Sequence, residues 1–313
     1  MRILIAGAGA VGGYFGASWA RSGLDVTFMV SARRARVLAE RGLRVVDMGE
    51  ESVLTPTTVL AEDIGAPYDL VVLGVKSTAD RPFAALLDQI APAVGPDTLI
   101  LPLLNGLAHV EVLNERFGPE RVLGGVAKII TTLNEDGDIV RMAPVATLVF
   151  GEQPGGASER ARELRERLSV EGTDIVLSED ILGDMWDKWV FITTTAGLNV
   201  LMRAPLGDIA AVPGGPELAR RLAAEGASVA KAEGHELSEE RIETTVAFAS
   251  DPELPVTTSL YRDLEAGSAT EGEHLFGIML STARRHGLEV PTLELVTLNL
   301  RVFERSREKA GAR

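Results

Sequence analysis

Apolar positions follow two different rhythms along the 313-residue chain. Up to about residue 178, short runs of aliphatic and β-branched residues alternate with longer stretches of helical spacing. Ile3–Ala6 is an apolar run followed by glycines and then by helical periodicity over Val11–Ala20, which predicts strand, tight turn and helix. Asp25–Val30 predicts a second strand, and Ala32–Arg41 a helix closed by Gly42. Leu43–Val46 and Val53–Val59 are expected as strands, and the continuous apolar run Asp69–Val75 as a buried parallel strand. Phe83–Ala91 is expected as a helix and Thr98–Leu101 as a strand. Val122–Thr132, Ile139–Met142 and Ala146–Phe150 predict further strands, with Asp136-Gly137 as a hairpin signal between the first two. Ser158–Val170 reads as a charged amphipathic helix and Ile175–Leu177 as a last strand.

Beyond Ser178 the strand signals stop. Ile181–Val200, Pro216–Gly234, Ser238–Ser250, Pro255–Leu264, Glu271–His286 and Pro291–Lys309 all predict helices. The expected organisation is an α/β domain over residues 1–178, with an open, mostly parallel sheet, followed by an all-helical domain over 179–313.

Composition narrows the chemistry. Cysteine is absent, which excludes disulfides, thiolate nucleophiles and cysteine-ligated metal centres. The formal charge of -14 argues against a nucleic-acid binder, which needs a basic face for phosphates. No apolar run is long enough for a membrane span, and glycines and Tyr14 interrupt the apolar start where a signal peptide would continue. A cytoplasmic protein is therefore expected. The four histidines have no metal-ligand spacing, so no metal site is expected, and there is no nucleophile-elbow pattern.

Gly7-Ala8-Gly9-Ala10-Val11-Gly12 is a G-x-G-x-x-G motif between a predicted strand and a predicted helix, the context in which it marks a Rossmann-like dinucleotide site. Gly7 permits the tight turn, Gly9 lets backbone approach a pyrophosphate, and Gly12 lets the helix pack closely. The uncapped N–H groups at the helix start attract the phosphates. After the second strand the chain reads Val30-Ser31-Ala32-Arg33-Arg34, with no acid to bind ribose hydroxyls. Ser31, Arg33 and Arg34 suit a 2′-phosphate instead, so NADP is the expected cofactor.

Further along stand Val75-Lys76-Ser77, Leu104-Asn105-Gly106, Met185-Trp186-Asp187-Lys188-Trp189, Thr257-Thr258-Ser259-Leu260-Tyr261-Arg262-Asp263 and Thr270-Glu271. Together with the glycine loop, in this order and over essentially the whole chain, they resemble the ketopantoate reductase (2-dehydropantoate 2-reductase) family. The resemblance implies an oxidoreductase of pantothenate biosynthesis that reduces a 2-keto acid to a 2-hydroxy acid with NADPH. It implies that Lys188 is the catalytic lysine, the proton donor to the forming alkoxide, and Glu271 its acidic partner. Asn105 and Lys76 then resemble the residues around the nicotinamide ribose. Asn105, Lys188 and Ser259 resemble substrate contacts, and Ile130 resembles a backbone contact to the cofactor. Such a site is expected in the cleft between the domains, against the carboxyl ends of the strands. The apolar helical domain is a candidate for homodimer formation.

The roles agree with elementary chemistry. Hydride addition to a carbonyl leaves negative charge on oxygen, and an adjacent ammonium stabilises that charge and can donate a proton. Only five of the 31 basic residues are lysine, and two of these, Lys76 and Lys188, fall in the motifs. At positions where the family places asparagines that bind the substrate's hydroxyl and carboxylate, this chain has Ile192, Ala196 and Leu206, and near Glu271 it has Phe276. Loss of amide donors points to a keto acid with a more apolar tail than ketopantoate. The alternatives are a related two-domain dehydrogenase acting on another hydroxy acid or imine, of opine type, and a non-catalytic NADP-binding sensor.

Overall fold

The structure is a computed structural model that describes residues 1–76, 83–153 and 155–311. Ser77, part of the Val75-Lys76-Ser77 segment, lies outside the described residues, as do Ala312 and Arg313. The described residues form two compact units, one of residues 1–76, 83–104 and 109–182, the other of residues 105–108 and 183–311.

The elements of the first part of the chain are β1 (Arg2–Ala6), α1 (Ala10–Arg21), β2 (Asp25–Met29), α2 (Ala32–Arg41), β3 (Leu43–Asp47), β4 (Glu50–Leu54), β5 (Thr57–Val59), β6 (Leu70–Leu73), α3 (Phe83–Ile90), β7 (Leu99–Pro102), α4 (Ala108–Phe117), β8 (Leu123–Leu133), β9 (Ile139–Glu152), α5 (Glu159–Leu168) and β10 (Asp174–Leu177). Five strands form an all-parallel sheet in the order β5-β2-β1-β6-β7. The winding direction reverses between β1 and β6, which opens a crevice at the carboxyl ends of these strands. Both faces of the sheet are buried. Ile3, Ile5, Leu70 and Val72 point into one core with Phe15 and Trp19 of α1. Leu4, Ala6, Val71 and Leu73 point into the other with Leu86, Leu87 and Ile90 of α3. This two-sided burial is why the strands read as continuous apolar runs.

A second sheet has the order β10-β9-β3-β4, with β8 antiparallel to β9. Here the chain departs from the expected strand list. The run Val53–Val59 is two strands in different sheets, β4 paired with β3 and β5 paired with β2. Pro56 lies between them and has no N–H to continue a ladder. Conversely, Ile139–Met142 and Ala146–Phe150 belong to the one strand β9. The register against β8 jumps between Ile129 and Thr131, so residues 142–145, including Pro144, bulge opposite Ile130. Helix α4 has little apolar periodicity and was not anticipated.

The second unit is helical, with α6 (Ile181–Met202), α7 (Leu206–Ala210), α8 (Gly215–Ala232), α9 (Glu239–Ala249), α10 (Ser259–Glu265), α11 (Ile278–Arg285) and α12 (Pro291–Gly311). The stretch expected as a helix from Pro255 becomes helical only at Ser259. Carbonyls at and just before its start are committed elsewhere: Leu206 and Gly207, at the start of the short helix α7, donate N–H bonds to Val256 O and Leu254 O. The segment expected as one helix over Glu271–His286 opens with a π-helical turn, Glu273–Gly277, before α11. The Glu225 carboxylate of α8 accepts bonds from the N–H groups of Thr292 and Leu293 and so caps α12. Among the described residues no helix is long and apolar enough to cross a membrane.

The crevice depends on a backbone contact. A Cβ at Gly74, just past β6, would lie 2.7 Å from Gly12 Cα and 3.0 Å from Gly12 N. Gly74→Ala is expected to cost about 1–3 kcal/mol by overpacking, read as a lowered thermal midpoint. The control Gly65→Ala, whose Cβ meets nothing within 4 Å, is expected to leave the midpoint nearly unchanged.

Candidate active site

The turn after β1 is built by Gly7, at φ +94°, a conformation that a side chain disfavours. Its N–H bonds to Met29 O at 3.0 Å, which ties the turn to the end of β2. Gly9 is the N-cap of α1, with no side-chain cap and no acidic residue in the first turn. The first N–H groups of α1, from Ala10 to Gly12, thus face the crevice end without a capping side chain. A Cβ on Gly9 would meet nothing nearer than Gly74 O at 3.4 Å. Ala8 is buried beneath the turn, while Ala10 and Val11 are partly exposed. Bare backbone, an open approach at Gly9 and a positive helix end together fit a pyrophosphate. Gly7 also abuts Val75, because its Cβ would lie 2.6 Å from Val75 Cγ1, so the exit of β6 runs beside the turn. Lys76, the next residue, is exposed there.

At the end of β2, Ser31 caps α2 by accepting a bond from the Arg34 N–H at 3.3 Å. The two arginines that look equivalent in sequence differ in structure. The Arg34 guanidinium donates to Gly137 O at 2.9 Å on the β8–β9 turn, and burial holds it below its ordinary pKa. Arg33 is exposed and makes no hydrogen bond or ion pair with another described residue. A cavity of about 370 Å³ lies beside the same helix start, lined by Ala32, Ala35, Arg36, Thr58, Val59, Leu60 and Asp63. Arg36 follows Arg33 by three residues, about one helical turn on, outside the motif at residues 31–34. Ile130 sits at the β8 bulge and is 38% exposed.

In the second unit, α6 carries Lys188, half-buried, between Trp186 and Trp189. The two indoles stack at 4.9 Å. Trp189 Nε1 donates to Leu275 O at 3.1 Å, in the π turn that follows Glu271. The same indole lies against the Asn105-Gly106 turn, where a Cβ on Gly106 (φ +79°) would stand 3.6 Å from Trp189 Cε2 and from Leu275 Cδ2. His274 Nε2 lies 2.9 Å from Asn105 O. The segments that carry Asn105, Lys188 and Glu271 are thereby interlocked. Glu271 is 7% exposed. The preceding Thr270 donates through its N–H (2.8 Å) and hydroxyl (2.7 Å) to Glu304 of α12.

Ser259 is exposed at the first position of α10. Its neighbour Thr258 donates its N–H to Asn199 Oδ1 at 2.9 Å, and the Asn199 amide donates to Ala204 O at 2.8 Å. Thus Asn199, eleven residues along α6 from Lys188, holds the loop before Ser259. Ala196, Leu206 and Phe276 are fully buried in the helical core, and Ile192 packs against it partly exposed. His274, Asn199 and Glu304 were all missed in the sequence, where nothing signals that a particular backbone group needs a partner. Among the described residues no group of three or more His, Asp or Glu side chains is placed to hold a metal.

The parallel sheet with a glycine turn at its switch point, in a chain with a helical second unit, defines a Rossmann-type α/β protein. Residues 3–155 match the family model described as ketopantoate reductase PanE/ApbA, and residues 180–304 match that of its C-terminal domain. The chain belongs to the ketopantoate reductase family of oxidoreductases. An uncharacterised oxidoreductase, YkpB of Bacillus subtilis (strain 168), is 34% identical and covers 97% of this chain and 99% of its own. A 2-dehydropantoate 2-reductase of Halobacterium salinarum is 29% identical over 97% of this chain and 99% of its own. The crystal structure of 2-dehydropantoate 2-reductase from Geobacter metallireducens matches with a TM-score of 0.86 at 29% identity, covering 96% of this chain and 99% of that one. D-mandelate dehydrogenase, in a ternary structure with NADH and anilino(oxo)acetate, has the same fold, with a TM-score of 0.88 at 23% identity over 98% and 100% of the two chains.

Burial lowers the His274 imidazole below its ordinary pKa, and the bond to Asn105 O opposes part of that shift. Below about pH 6.5 the unfolded chain therefore protonates at His274 more readily than the folded chain. The contribution of this group to stability is fully present above that pH and falls as pH drops through it. His274→Gln is expected to flatten this acid-side decline. The check is the difference in thermal midpoint between about pH 8 and about pH 5.5 for the two proteins.

Proposed function

We propose that the protein is an NADPH-dependent reductase of 2-keto acids, yielding 2-hydroxy acids. The observation that carries this is the interlock of the Asn105, Lys188 and Glu271 segments through Trp189 and His274. It supports the reading because it ties together the segments that carry the lysine, the acid and the amide that the reading needs. NADPH, when bound, supplies the hydride.

The protein's own residues do the rest. The N–H groups of the Gly7-Ala8-Gly9-Ala10-Val11-Gly12 turn would hold the pyrophosphate, and Arg33 the 2′-phosphate, with Ser31 beside it. The cavity beside α2 suits the adenosine end. Lys76 and Asn105 would contact the nicotinamide ribose, and the Ile130 backbone the cofactor. The Lys188 ammonium would stabilise charge on the carbonyl oxygen and give it a proton. Glu271 would be its acidic partner. Asn105 and Ser259 would hold the substrate, Ser259 at its carboxylate. Ile192, Ala196, Leu206 and Phe276 offer no amide at these positions, which supports a keto acid with an apolar tail in place of ketopantoate.

The test is a 2-keto acid panel followed by NADPH absorbance, with NADH in parallel. Apolar 2-keto acids are expected to outrun ketopantoate, and the reverse order would sink that substrate assignment. Lys188→Ala is expected to lower kcat about 10²- to 10⁴-fold while dinucleotide binding, followed by fluorescence titration, persists. Arg33→Ala is expected to weaken NADPH about 10- to 100-fold, the worth of a charge-assisted hydrogen bond, and to leave NADH unchanged. Arg34→Ala should weaken NADPH less. Equal or faster turnover with NADH in the unaltered protein would defeat the NADPH assignment.

A further inference from the structure

We propose that His274 is a positioning residue for the reduction, holding Asn105 in place through its backbone carbonyl. The inference rests on the assignment of Asn105 to substrate and nicotinamide ribose made above.

A carbonyl oxygen only accepts, so the 2.9 Å contact between His274 Nε2 and Asn105 O requires the proton on Nε2. This selects one tautomer of the ring. The need for the bond follows from the backbone around it. Gly106 is left-handed at φ +79°, so Asn105 enters a turn that neither a helix nor a strand ladder satisfies. Among the described residues, the bond to His274 is the one hydrogen bond made by the backbone of Asn105 and Gly106. Asn105 O is part-buried, so loss of the donor would leave a polar group poorly satisfied and free the turn to shift.

The donor is available because of the π turn. Ile278 N–H reaches back five residues to Glu273 O, which widens the turn by one residue. Within this turn His274 meets Asn105 O, while Leu275 O accepts from Trp189 Nε1 at 3.1 Å. Two consecutive residues therefore clasp two different elements: the turn of Asn105, and the helix that carries Lys188 one position before Trp189. Glu271 lies three residues before His274 on the same segment. Relative placement of the amide, the ammonium and the carboxylate thus passes through this clasp. A displacement of about 1 Å in a positioned group can cost roughly 10²-fold in rate.

The experiment combines variants with a measurement on the unaltered protein. His274→Phe is expected to lower kcat about 10- to 100-fold with dinucleotide binding retained. His274→Gln, which keeps an N–H donor, is expected to recover most of that loss. The double variant Asn105→Ala/His274→Phe should be no slower than Asn105→Ala alone, because both act through one group. Strictly additive losses, or equal losses in the Phe and Gln variants, would overturn the proposal. Ring ¹⁵N NMR of the folded wild-type protein is independent of how the variants fold. It is expected to show a neutral His274 with its proton on Nε2, and a proton on Nδ1 instead would also overturn it. If Asn105→Ala and Lys188→Ala both leave turnover intact, the site assignment itself fails and this proposal falls with it. If those two are impaired and His274→Phe is not, this proposal alone fails.

Discussion

Strand β1 and strand β6 are neighbours, yet the chain leaves them in opposite directions, and α1 must start immediately over the exit of β6. Two glycines meet at that crossing, with space for no side chain between Gly74 and Gly12 Cα. This approach sets how deeply α1 sits on the sheet. From it follow the full burial of Phe15 and Trp19 and the bond from Trp19 Nε1 to Leu168 O on α5 at 3.0 Å. It also aims the first N–H groups of α1 at the carboxyl end of the sheet. A larger residue at either glycine would lift the helix off both the core and the crevice, so packing and ligand chemistry depend on the same absence of side chains.

The helical unit solves a different problem, that of polar groups kept near a buried lysine-bearing helix. The hydroxyls of Thr193, Thr194 and Thr195 each return to a carbonyl four residues earlier on α6, so three buried polar residues place no unmet demand on the core. Carboxylates are likewise used on backbone. Glu225 caps α12, and Glu304 of α12 holds Thr270 next to Glu271. Burial raises the Glu304 carboxyl, but hydrogen bonds from Thr270 and Arg307 outweigh it and hold it below the ordinary range. Several acids in this chain of net charge -14 thus serve as anchors for helix ends and loops.

What could be read in the sequence was whatever a local pattern dictates. Strands buried on both faces, such as β1 and β6, are continuous apolar runs, and the glycine turn between β1 and α1 is encoded within six residues. Features that depend on pairing were hidden. The run Val53–Val59 looks like one strand because its split rests on which neighbour each half finds, β3 or β2. The bulge opposite Ile130 likewise needs the partner strand before it has meaning. Of the candidate site residues, Lys188, Glu271 and Asn105 stand in recognisable motifs. Asn199 and His274 do not, because their work is to satisfy carbonyls and N–H groups brought near only by folding, Ala204 and Thr258 in one case and Asn105 in the other.

The adjacent arginines after β2 show how far such pairing can divide identical residues. Successive helical residues point about 100° apart, so Arg33 and Arg34 leave the start of α2 in different directions. Arg34 is committed by geometry: its backbone N–H goes to Ser31 Oγ and its guanidinium to Gly137 O on the β8–β9 turn, near Asp138, where burial depresses its pKa. Diverting it to a ligand would break that bond and leave a part-buried carbonyl unmet. Arg33 carries no such commitment. Arg33 thus presents an exposed guanidinium at the end of β2 with no bond to another described residue to give up, while Arg34 holds the β8–β9 hairpin against α2.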